Sequence, residues 1–130
     1  MAAAHRRRLS VALVSMLLTC HALAGWTPLR TTTSGIDYID TEPWAVERHL
    51  RRVFTLTDLT RPDSDGDRSY RTLLEIDCSN TIYRSLSGVF YAGAMASGPG
   101  TGRTDSPSPW RQVQPGSAAA AVMKLVCAKP

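Results

Sequence analysis

The sequence predicts an α+β fold, an antiparallel β-sheet covered on one face by a C-terminal helix. Three observations carry this. Strand-like segments with alternating apolar and polar residues follow one another at short spacing between positions 26 and 113. Turn-forming clusters separate them, among them Ser34-Gly35, residues 41–43 and residues 60–69. A single segment, 118–127, has an apolar stripe at helical spacing, and it comes last. A run of strands followed by one helix buries both apolar faces by stacking them as two layers.

The first 24 residues read as an export signal. Arg6, Arg7 and Arg8 form a positive head, residues 9–19 are an apolar run of 11 broken only by Ser10, Ser15 and Thr19, and Ala22-Leu23-Ala24 is a small-x-small cleavage site before Gly25. The run is too short to span a bilayer, which takes about 20 residues. A lipoprotein signal would acylate Cys20, but Thr19 is a poor residue to precede it. Cleavage after Ala24 is therefore expected, with one domain at 25–130 and membrane association only if Cys20 carries lipid.

The elements of that domain follow in order. Residues 26–33 are Thr-rich and extended, and turn at Ser34-Gly35. Residues 36–40 form a short strand, with Ile36 and Tyr38 on one side and Asp37 and Ile39 on the other. Residues 50–58 are the next strand, with Leu50, Phe54 and Leu56 opposite Val53, Thr55 and Thr57. Residues 70–78 alternate most clearly, with Tyr70, Thr72, Leu74, Ile76 and Cys78 on one face and Arg71, Leu73, Glu75 and Asp77 on the other. Residues 82–94 continue as strand with a bend at Gly88, and 97–109, rich in Gly, Pro, Ser and Thr, read as a long exposed loop. A short strand at 110–113 precedes Pro115-Gly116-Ser117, where Ser117 or Gly116 caps the helix. Its stripe is Ala118, Val122, Leu125 and Val126, with Lys124 on the far side.

Charge and cysteine usage narrow the function classes. The whole chain carries a net charge of +4, but without Arg6, Arg7 and Arg8 there remain 12 basic against 11 acidic residues, a net charge of +1. A nucleic-acid binder relies on a cationic stripe to neutralise phosphates, so no nucleic-acid partner is expected. With Cys20 removed, Cys78 and Cys127 remain, and an even count in an oxidising compartment implies a disulfide, two buried thiols being the alternative.

Motifs that would carry catalysis or metal binding are weak. Asp63-Ser64-Asp65-Gly66-Asp67 clusters carboxylates, but a calcium loop wants Gly sixth and Glu twelfth, whereas here Gly66 is fourth and Leu74 twelfth. It reads as a solvated turn. Gly98-Pro99-Gly100-Thr101-Gly102 lacks the Lys-Ser/Thr pair and helix of a phosphate cradle and reads as a flexible hairpin loop. His49 is the one histidine after residue 24, so neither a zinc site nor a nucleophile–base pair is expected. Asp40 with Glu42, and Glu75 with Asp77, could pair for acid–base work, but Glu75 and Asp77 fall on the outer face, where a raised pKa is not expected. Trp26, Trp44 and Trp110 read as packing residues. Arg48, Arg51 and Arg52 form a local basic cluster, a candidate contact for acidic ligands or simply a solvated strand entry. No catalytic, cofactor-binding or metal-binding residue is assigned.

Several short segments in fixed order carry a family resemblance. Leu73-Leu74-Glu75-Ile76-Asp77-Cys78 is followed by Ile82-Tyr83-Arg84, then by the run from Trp110 to Ser117, then by Val126-Cys127. Trp26, the strand ending in Asp40 and the strand 53–58 add to them. Together they resemble the surface-adhesin protein E family of Gram-negative bacteria. The resemblance implies a sheet of about six strands with the helix packed on it. It also implies a disulfide from the strand ending at Cys78 to the helix ending at Cys127. The function implied is a non-enzymatic, adhesin-like envelope or surface module recognising protein or glycan ligands, with host matrix or serum proteins or acidic glycans as partners and a homodimer left open. A periplasmic structural or accessory protein with no host ligand is the alternative.

Overall fold

The structure, a computed structural model, describes residues 25–40 and 43–128. The export signal with Cys20, and Glu42 of the Asp40/Glu42 pair, lie outside the described residues. Among the described residues eight strands form one antiparallel sheet: β1 (Trp26–Thr31), β2 (Gly35–Asp40), β3 (Trp44–Ala45), β4 (Leu50–Leu59), β5 (Ser69–Asp77), β6 (Ile82–Tyr91), β7 (Gly100–Thr104) and β8 (Arg111–Gln112). The main path runs β1-β2-β4-β5-β6-β7, with β3 added on β4 and β8 on β6. One helix, α1 (Ala118–Val126), follows and packs on one face.

Cross-strand register explains which residues meet. Val53 lies opposite Leu74, and Ile76 opposite Tyr83, so the alternation of β4, β5 and β6 sends these side chains to the α1 side. There Ile39, Val53, Ile76, Val122 and Val126 form the buried core, with Leu29, Leu74, Tyr83 and Met123 packed against it. Three local devices fix α1 over this face. Ser117 caps it, its hydroxyl accepting from the Ala120 N–H at 3.1 Å. Arg30 on β1 donates to the Gly116 carbonyl at 3.0 Å. Cys78, just past β5, is disulfide-bonded to Cys127 with the Cα atoms 5.7 Å apart.

Four expectations are corrected. The loop expected at 97–109 contains β7, an edge strand of exposed residues paired to β6 from Gly88 to Tyr91. Its Gly-Thr-Gly-Arg-Thr sequence has no apolar alternation, and its backbone hydrogen bonds to β6 hold it. The strand expected to reach Ala94 stops at Tyr91, and residues Ala94–Ala96 form a single 3-10 turn. The irregularity in β6 is not at Gly88: Leu73 pairs with Ser87 and Leu74 with Ser85, so Leu86 is the extra residue of a bulge. Finally, the buried stripe of α1 is Ala119, Val122 and Val126, while Leu125 is 49% exposed. At about 100° per residue, Met123 and Cys127 lie on one side of Val122 and Leu125 on the other. Joining Cys127 to Cys78 rolls the helix towards Cys127, and Leu125 turns out to water.

Candidate functional site

The face of the sheet away from α1 carries charge organised by register. Arg52, Glu75 and Arg84 stand side by side on β4, β5 and β6. Glu75 is 1% exposed. Arg52 Nε donates to its Oε2 at 2.8 Å. Arg84 donates to its Oε1 through Nε at 2.9 Å and Nη2 at 2.7 Å. Burial pushes the Glu75 carboxyl up, but the hydrogen bonds and charges of Arg84 and Arg52 outweigh it and hold the group below the ordinary glutamate value. Glu75 thus lies on the outer face as expected, but under a cover of guanidinium groups rather than in open water.

Two cations on this face rest on aromatic rings. The Arg84 guanidinium lies 4.5 Å from the ring centroid of Trp110, which is 38% exposed. Trp110 therefore packs against a surface cation, not in the core. The Arg71 guanidinium lies 3.8 Å from the ring centroid of Phe54. Its Nε is buried with no hydrogen-bond partner.

The three arginines of the expected basic cluster do not share one face. Arg51 and Arg52 are neighbours on a strand, so their side chains leave opposite faces. Arg52 is committed to Glu75. Arg51 Nη1 points back to the carbonyls of Glu47, Arg48 and Leu50 at 3.3, 3.2 and 3.1 Å. Arg48 is exposed.

Other acidic groups serve turns. Asp77 Oδ1 accepts from the Ser79 and Asn80 N–H groups at 2.9 and 3.0 Å, and Oδ2 from the Asn80 amide at 2.9 Å. The Asn80 side chain is the main cause that lowers its pKa, and the backbone donors add to it against the cost of burial. Asp63 Oδ1 accepts from the Asp65 and Asp67 N–H groups, both at 2.9 Å, around a left-handed Gly66. Asp67 is buried and accepts from the Thr101 hydroxyl. Carboxylate oxygens of Asp63, Asp65 and Asp67 lie within 4.8 Å of one another, with one oxygen of Asp63 engaged in this loop and one of Asp67 in its link to β7. On the helix side, a pocket of about 190 Å³ opens between Leu29, Asp37, Thr57, Tyr83, Ala118 and Val122. Asp37 at its edge is already met by Arg30 at 3.3 Å and Thr57 at 2.8 Å.

A protein-family model for surface-adhesin protein E matches residues 26–128. The chain belongs to the surface-adhesin protein E family. Among solved structures, one crystal form of Haemophilus influenzae protein E aligns with a TM-score of 0.63 and 18% identity, over 82% of this chain and 89% of that one. A second structure of the same protein gives a TM-score of 0.61 and 16% identity over 82% and 86%. Protein E from non-typeable H. influenzae gives 0.58 and 16% over 84% and 79%. At these identities the likeness establishes the fold. No curated protein sequence matches the chain at a significant level. No helix among the described residues is long and apolar enough to cross a membrane.

The short segments that resembled the family thus led to the right fold. What the sequence did not reveal is the pairing of Glu75 with both neighbours and the isolation of Arg71. Alternation puts Arg71 and Glu75 on one face, but which residues flank them depends on strand register, which no single strand encodes.

Proposed function

We propose that this protein is an exported, non-enzymatic binding module of the cell envelope, adhesin-like, recognising protein or glycan ligands at the cell surface. The observation that carries the reading is the family match over 26–128, which spans nearly the whole of the expected mature domain. The engagement of Glu75 by Arg52 and Arg84, which holds its carboxyl ionised, supports a role without acid–base work at that group. Host matrix or serum proteins, or acidic glycans, are the expected partners. Of the Arg48, Arg51 and Arg52 cluster, the exposure of Arg48 supports it as the member that meets a ligand.

The test is location together with binding. Intact cells are labelled with antibody to residues 25–130, and the purified domain is screened against immobilised matrix and serum proteins and heparin. Surface labelling with saturable binding to at least one of these is expected. Release only by osmotic shock, with no binding, would replace this reading by a periplasmic accessory role.

A further inference from the structure

We propose that the sheet face opposite α1 binds an acidic, partly apolar polypeptide segment, with a carboxylate of that segment seated on the guanidinium of Arg71. This rests on the reading of the protein as a binding module and names the ligand chemistry of one face.

The face is unevenly balanced. Of three guanidiniums near its centre, Arg52 and Arg84 share the one carboxylate of Glu75. Arg71 has no carboxylate partner among the described residues, and its Nε–H is buried without an acceptor. A buried donor without an acceptor is costly, and the rest of the Arg71 side chain, which is partly exposed, is free to meet a carboxylate from outside. Its cross-strand neighbours are Leu56 and Val89, which offer no acceptor side chain. Stacking on Phe54 fixes the plane of the guanidinium. Fixing the plane pre-orients the remaining N–H groups for a carboxylate, at little further cost in entropy.

The surroundings choose the ligand class. Leu73, Val89 and Phe54 around Arg71 are half-buried, leaving apolar area between the charges. A sulfated glycan offers little to cover such area. A polypeptide can cover it with apolar side chains while it pairs the cation. The 3-10 turn Ala94–Ala96 covers the Asp58–Ser69 end of this face, the Met95 N–H donating to Asp58 Oδ1 and the Ala96 N–H to the Ser69 hydroxyl. On the face beyond it an extended peptide presents residues i and i+2, so acidic and apolar residues alternating at every second position fit the surface.

The probe is a capped heptapeptide, Glu-Ser-Leu-Ser-Glu-Ser-Leu, titrated into the ¹⁵N-labelled 25–130 domain and followed by NMR. Saturable shifts at the Arg71 Nε–H and at the Leu73 and Val89 amides are expected. Arg71→Gln should weaken binding roughly ten- to hundredfold, the scale of a lost charge-assisted bond. Arg71→Lys, which keeps the charge but not the planar fork, should fall between. Arg111→Gln removes an equal charge on the other face, opposite Tyr83, and should leave affinity unchanged. Spectra of each variant establish that it is folded. The proposal is overturned if Arg71→Gln binds as the parent does, if a Gln-for-Glu peptide binds equally, or if a heparin tetrasaccharide moves the Arg71 resonance while the peptide does not. Localisation is independent of these outcomes: a strictly periplasmic protein that binds the probe at Arg71 would refute surface adhesion and keep this site.

Discussion

A carboxylate at the centre of a sheet face loses water on every side, and it stays ionised only where cations replace that water. Glu75 meets this condition through Arg52 and Arg84. Its folded pKa lies below the ordinary 4.5, and that of Asp77 below 3.8. Folding therefore favours the ionised forms. The stability they supply is fully present above these ordinary values and is lost as pH falls through the lower folded ones. Unfolding followed by fluorescence should show a plateau from neutrality to about pH 5 and a decline below it. Glu75→Gln should cost about 1–3 kcal/mol at pH 7, less than a fully buried pair because both arginines remain partly in water, and should flatten part of the acid decline. An unchanged acid limb would show that Glu75 is not the group responsible. The same pairing bears on the basic cluster. Changing Arg48, Arg51 and Arg52 together to Ala should lower retention on heparin no more than Arg48→Ala alone, because Arg51 and Arg52 are committed internally; a clearly larger loss from the triple change would make them ligand contacts. The sequence contained every one of these residues, and alternation gave Glu75 its face. It could not pair that face with Arg52 and Arg84, since pairing lives in the register.

At the scale of elements, α1 is too short to persist in water by itself, since isolated helices below about 12–15 residues are marginal. Its stability comes from the Ser117 cap, the packing of Val122 and Val126 and the bond to β5. The Cys78–Cys127 bond closes a sequence separation of 49 residues. Loop-closure entropy for such a length gives roughly 4 kcal/mol, within a total near 5–15 for a domain of this size. Cys78→Ser, or Cys127→Ser, should lower Tm by roughly 15 °C or more, and amide exchange in α1 should accelerate before that in β4 and β5. Equal melting with and without reductant would reduce the bond to a bystander. The helix and its cap were legible because Ser117 and the Ala-rich run are local signals. Its rotation was not, because the disulfide that sets it joins distant positions. β7 was illegible for a different reason: Gly100–Thr104 has little strand propensity of its own, and the edge of β6 supplies the partner that extends it.

At the scale of the molecule, the main strands lie in the sheet in the order they occur in the chain. A meander of this kind needs only short turns between neighbours, which is why turn clusters and alternation sufficed to predict the layer architecture. The first described strand begins at Trp26, paired with Asp40, so the described sheet lies wholly downstream of the expected cleavage site. Cleavage after Ala24 would leave the whole sheet intact with a single residue, Gly25, ahead of it. Lipid on Cys20 would instead leave a five-residue connection, residues 21–25, between a membrane anchor and β1. The two outcomes place the same domain in different compartments, free or held at a membrane surface. Because Ala22-Leu23-Ala24 suits signal cleavage and Thr19 suits lipid attachment poorly, the exported protein should begin at Gly25 without lipid. Its intact mass should match residues 25–130 less two hydrogens for the disulfide, and it should partition into the aqueous phase of a detergent separation. A diacylglyceryl adduct on Cys20 would reverse this and make the domain a tethered one, a few residues from the membrane.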